Sequence, residues 1–137
     1  MAGVRLGYLL GPSWCVAELE SVALPYHLGA VTQLAGLVAL DHEEEMSGRV
    51  TTLVAERERL SSCLEELEVT VWPSAANFVL FRPETEPGDQ VWRGLLDRSV
   101  LIRDCSSWDG LNGCLRVTIG TQEENDRFLV ALREVLT

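Results

Sequence analysis

The sequence predicts an α+β module, a long helical arm followed by a small strand-rich layer covered by helices. Three observations carry that reading. Val50, Leu53, Val54, Leu60, Cys63, Leu64 and Leu67 recur at spacings of three and four, the stripe of one helical face. Short apolar runs at 69–72, 77–81, 100–104 and 114–120, punctuated by Pro, Ser, Asn and Gly, read as strands. Thr121-Gln122-Glu123-Glu124 is a capping box that opens a closing helix with Phe128, Leu132, Val135 and Leu136 turned inward.

Taken in order, Val4-Arg5-Leu6-Gly7-Tyr8-Leu9-Leu10 reads as a strand. Gly11-Pro12-Ser13 then turns, and Ser13 is placed to cap a helix over 14–22. Leu24-Pro25-Tyr26-His27-Leu28 breaks that helix, because the residue before proline avoids helical geometry. A second helix is expected over 29–40, interrupted by the acidic run at 41–45 and by Gly48 before the long stripe begins. One histidine amid Asp41, Glu43, Glu44 and Glu45 is read as a solvated helical face rather than a metal site. Pro73-Ser74-Ala75-Ala76 is a turn, Asp89 opens a helix carrying Val91, Trp92, Leu95 and Leu96, and a loop with Gly110 and Gly113 joins the last two strands.

With 137 residues the chain can bury one core, and its 47% apolar content is that of a globular protein. A net charge of −10 argues against nucleic acid and anionic membranes as partners, and no apolar run is long enough to span a bilayer. Cys15, Cys63, Cys105 and Cys114 show no C-x-x-C spacing and there are only two histidines, so no metal centre is expected and free thiols in a reducing cytosol are. All eleven basic side chains are arginines.

Two of those arginines sit inside strand-like runs. Arg103 closes Val100-Leu101-Ile102-Arg103-Asp104. Arg116 stands in Cys114-Leu115-Arg116-Val117-Thr118-Ile119-Gly120, where Leu115, Val117 and Ile119 take one face and leave Arg116 with Cys114 and Thr118 on the other. Their forked donors could converge on one carboxylate or phosphate. Each could equally pair with a local acid, Asp104 or Asp109.

The ordered set Ala2-Gly3-Val4-Arg5-Leu6-Gly7-Tyr8, Leu24-Pro25-Tyr26-His27-Leu28, Ser74-Ala75-Ala76-Asn77-Phe78, Leu101-Ile102-Arg103-Asp104 and Cys114-Leu115-Arg116-Val117-Thr118-Ile119-Gly120-Thr121 resembles the fold-type I pyridoxal-phosphate aminotransferases, and among them the histidinol-phosphate aminotransferases. The resemblance covers only the C-terminal part of such a protein. It implies that residues 1–23 are a remnant of the large cofactor-binding domain, ending in its last strand, and that residues 24–137 are the small domain. It implies amino transfer between glutamate and imidazole-acetol phosphate in histidine biosynthesis, pyridoxal 5'-phosphate as cofactor, amino and keto acid substrates, a homodimer and a cytoplasmic location. Arg5 matches the arginine that holds the coenzyme phosphate. Arg116 matches the arginine that grips the substrate carboxylate, Arg103 an accessory substrate arginine, and Asn77 an asparagine near the substrate pocket whose alternative is a turn-capping amide. Tyr26 and His27 fall where the family's chain crosses between domains and are read as hinge and interface packing. The family's Schiff-base lysine would lie upstream of Ala2, where this chain has only Met1, and no other lysine exists. The chain is therefore expected to be a piece of a longer enzyme and inactive alone. An aromatic amino acid aminotransferase, a threonine-phosphate decarboxylase of the same family, and a non-catalytic anion-binding module are the alternatives.

Overall fold

Among residues 2–137, which the computed structural model describes, the backbone forms five α-helices and a four-stranded antiparallel sheet. Met1, the position upstream of which the resemblance sets the family's lysine, lies outside the described residues. Backbone contacts divide the chain into two units, Met1–Ser47 and Gly48–Thr137.

The first unit carries a single 3-10 turn over Ala2–Val4, then α1 (Ser13–Val22), α2 (Ala30–Leu40) and the start of α3 (Glu43–Glu65). The strand expected over 4–10 does not form. A strand exists only through hydrogen bonds to a neighbour, and all four strands of the sheet come from residues 69–118. Ser13 is the first helical residue of α1 rather than its cap. Pro12 takes the cap position, its carbonyl accepting from Cys15 N (3.0 Å) and Val16 N (3.1 Å). Pro25 ends the helical stretch as expected, and the following turn puts Tyr26 at φ 56° and His27 Nδ1 2.9 Å from Leu24 O. No described residue of this unit is buried, so large apolar side chains such as Val31, Leu37 and Leu40 are exposed.

α3 runs straight through Gly48, where the apolar stripe suggested a break. Glu43, Glu44 and Glu45 form its first turn, where the helix dipole favours acids. Toward its other end Leu60 and Leu64, one turn apart, are fully buried. The sheet follows: β1 (Val69–Val71), β2 (Phe78–Pro83), β3 (Arg103–Asp104) and β4 (Leu115–Thr118), in the order β1-β2-β4-β3. α4 (Gly88–Asp97) lies between β2 and β3 in sequence, opening at Gly88, one residue before Asp89. Glycine is required there, because a Cβ would stand 2.4 Å from Gly113 O.

α5 (Gln122–Val135) starts with the full capping box, Glu124 N donating to Thr121 Oγ1 and Thr121 N to Glu124 Oε2. One face of the sheet, with Val79, Phe81, Leu115 and Val117, packs with Leu60, Leu64, Val91, Leu95, Phe128 and Leu132 into a single core. Phe81 and Phe128 meet edge to face, ring centroids 5.9 Å apart. This covered face anchors the sheet and leaves the other face of β4 and β2 for polar work.

Candidate anion-binding site

The alternation read in the sequence of β4 is realised. Leu115 and Val117 are buried in the core, whereas Arg116 is half-buried and Thr118 exposed on the opposite face. β3 pairs with β4 so that Arg103 stands directly across from Arg116. Residues opposite one another in an antiparallel pair share a face, and like charges there repel. Among the described residues neither arginine has an ion-pair partner. Asp104 is committed elsewhere: Ser106 N donates to its Oδ1 at 2.8 Å, and the hydrogen bonds from Ser106 hold its carboxyl below the usual aspartate value. Pairing with a local acid is therefore not what the fold does with these arginines.

What surrounds Arg116 is aromatic. Its guanidinium carbon lies 4.9 Å from the centroid of the Phe78 ring and 6.0 Å from that of Trp108. Its Nε is buried and has no hydrogen-bond partner. A buried N–H left unmade is costly, and such an atom in a native fold calls for an explanation. Both arginines line an open cleft of about 430 Å³ together with Trp92, Leu101, Ile102, Thr118 and Asp104, the last with its carboxylate bonded to Ser106. Trp92 Nε1 already donates to Ile102 O at 3.0 Å, so the indole presents apolar surface there. Paired cations beside an apolar wall suit a carboxylate-bearing ligand with an apolar or aromatic body. A second cleft of about 500 Å³ near the start of α5 includes Asn125, already bonded to Gly120 and Glu56, and Arg127, bonded to Ser99 O.

The structure thus brings together Arg103 and Arg116. Asn77 stands next to Phe78 at the entry of β2, exposed, with its carbonyl accepting from Ile119 N at 2.9 Å. It does not cap the turn: Ser74 does, its Oγ accepting from Ala76 N at 3.1 Å, while Arg57 Nη1 bonds Ala76 O. The Asn77 amide makes no hydrogen bond among the described residues. Arg5 belongs to the first unit, exposed, at φ 56° in the turn that follows Ala2–Val4. Cys105 and Cys114 are buried and free, linked by Cys105 N to Cys114 O at 3.0 Å. Burial pushes the Cys105 thiol up, with Arg116 pulling the other way. Sequence reasoning missed Phe78 and Trp108. An aromatic residue inside the polar loop between two strand-borne arginines was the available signal for Trp108.

The chain belongs to the aminotransferase class I and II family, whose model matches residues 1–132. Within that family it is similar to the histidinol-phosphate aminotransferase of Streptomyces avermitilis, 46% identical over 134 residues that cover 98% of this chain and 35% of that protein. The histidinol-phosphate aminotransferase of Mycobacterium ulcerans is 48% identical over 130 residues, 95% of this chain and 33% of that one. Among solved structures, the histidinol-phosphate aminotransferase of Clostridium acetobutylicum matches with a TM-score of 0.81 at 26% identity, over 88% of this chain and 37% of that chain. The chain spans about a third of the length of the curated relatives it matches.

Proposed function

We propose that this chain is the substrate-carboxylate-binding C-terminal part of a histidinol-phosphate aminotransferase, which moves an amino group between glutamate and imidazole-acetol phosphate. The observation that carries the proposal is the Arg103–Arg116 pair, two cations on one sheet face with no acid between them. A carboxylate entering the cleft relieves their repulsion and supplies the ion-pair partner that neither arginine finds within the protein, Asp104 at the same cleft being bonded to Ser106. Arg116 grips the carboxylate, Arg103 assists, and Asn77 stands at the rim. Arg5 is assigned to the phosphate of pyridoxal 5'-phosphate.

These 137 residues contain no lysine, so they do not by themselves fit the aldehyde of that cofactor, and no chemical step is assigned to them. In the whole enzyme, residues 1–23 belong to the large domain and residues 24–137 to the small one. The exposed apolar side chains of the first unit pack there against the rest of a cytoplasmic homodimer. No helix among the described residues is long and apolar enough to cross a membrane.

A chimera tests this reading: the present chain replaces the matching 134 residues of the Streptomyces avermitilis relative. The chimera is expected to transaminate histidinol phosphate with 2-oxoglutarate, and Arg116→Ala to reduce kcat/KM about 100-fold. A chimera that holds the cofactor yet prefers phenylalanine would overturn the assignment. The isolated chain should yield no borohydride-trapped cofactor adduct on a side chain.

A further inference from the structure

We infer that Trp108 positions Arg116, holding its guanidinium between two rings so that it is fixed in place without being neutralised. The inference rests on the carboxylate reading of Arg116 and adds a residue to it. Phe78 is one wall. In the register Phe78 faces Thr118 and Leu80 faces Arg116, so Phe78 is the diagonal neighbour of Arg116 on the same sheet face. The other wall comes from outside the sheet, on the loop of residues 105–114.

That loop is tied down at every stage. Cys105 N donates to Cys114 O (3.0 Å), Trp108 N to Cys105 O (2.9 Å), Leu111 N to Trp108 O (3.1 Å) and Cys114 N to Leu111 O (2.9 Å). Gly110 at φ 76° and Gly113 at φ 72° supply the two left-handed residues this path needs. Both backbone polar groups of Trp108 are thereby used, and its indole is presented toward Arg116 while remaining 50% exposed. An acid in that place would orient the guanidinium equally well and cancel the charge a substrate carboxylate needs. A π face orients it and leaves the charge available. The unpartnered, buried Nε fits this arrangement, with the side chain clamped by ring faces rather than by hydrogen-bond acceptors. Trp108 is accordingly a positioning residue that acts through Arg116.

The test uses the 137-residue chain, nitrogen-15 labelled, as wild type, Arg116→Lys, Trp108→Ala, Trp108→Leu and Trp108→Phe. Loss of one Nε–Hε signal in R116K identifies Arg116. In the wild type that signal is expected upfield of the other arginines through ring currents. It should move back in W108A and W108L and stay displaced in W108F, with backbone amide spectra reporting that each variant is folded. Titration with 2-oxoglutarate should give affinities about fivefold weaker for W108A and W108L and within about twofold of wild type for W108F. A signal and an affinity unchanged in W108L would show that bulk, not the ring, is what matters, and would overturn the inference. A Trp108-dependent signal that 2-oxoglutarate leaves unmoved would uphold the positioning and retire the carboxylate reading.

Discussion

Arg59 and Arg116 are both half-buried arginines of the second unit, and the fold treats them in opposite ways. Arg59, on α3, meets Glu56 Oε2 at 2.8 Å and Asp126 Oδ1 at 2.7 Å. Glu56 also accepts from Asn125 Nδ2 at 2.8 Å, and Asn125 bonds both polar backbone groups of Gly120. The two carboxylates raise the Arg59 pKa, and Arg59 with Asn125 holds Glu56 below the usual glutamate value. That charge is used up in tying α3 to α5. Arg116 has no acid, two aromatic rings, an unbonded Nε and a second arginine across the ladder. The protein cancels the charge of Arg59 and leaves that of Arg116 unpaired beside two rings, as the proposed carboxylate site requires.

Substitutions on the two sides should separate these roles. The largest effect is expected from Asn125→Ala, which strands the backbone groups of Gly120 and one bond to Glu56 in a site only 2% exposed. Urea unfolding should report a loss of about 3 kcal/mol, with 2-oxoglutarate affinity within about twofold of wild type. Arg116→Ala should do the reverse. Calorimetry should show dicarboxylate affinity down about 30-fold, or about 2 kcal/mol, with stability changed by less than about 1 kcal/mol because a like-charge contact disappears with it. An Arg116→Ala chain that unfolds readily would erase the distinction. Arg59→Gln should cost about 1 kcal/mol of stability, as partly exposed ion pairs do, and leave binding intact.

The smallest effect concerns acid. Glu56 titrates lower folded than unfolded, so its contribution is complete above the ordinary glutamate value of about 4.3. It is lost as pH falls from there through the folded value. Glu56→Gln should therefore flatten the fall of Tm between neutral pH and about pH 3. Equal slopes in variant and wild type would show that the pairing with Arg59 contributes nothing.

Several local signals in the sequence translated into structure, although Ser13 entered α1 as its first residue instead of capping it. The Thr121–Glu124 capping box, the left-handed Gly110 and Gly113, the break at Pro25 and the two-residue alternation of β4 each depend on neighbours a few positions away. The reading of residues 4–10 as a strand had no such support, because alternation only permits a strand and a partner makes one. Gly48 misled in the other direction, since one glycine costs a helix only about 1 kcal/mol and α3 continues through it. In the site, both arginines were visible from their strand context. Their rings were not, because Phe78 and Trp108 lie 38 and 8 positions from Arg116 and reach it only across the ladder and through a folded loop.

The sequence by itself determined the helical stripes, the capping box of α5, the break at Pro25, the face on which Arg116 emerges and, through its motifs, the family. Those follow from dihedral preferences and periodicities written into short stretches of chain. Only the tertiary structure decided that Arg103 lies opposite Arg116, that Asp104 is spent on Ser106, and that aromatic rings rather than acids hold the guanidinium. Charge is a property of the residue. Whether it is cancelled or kept for a ligand depends on which distant groups the register and the loop bring within a few ångströms of it.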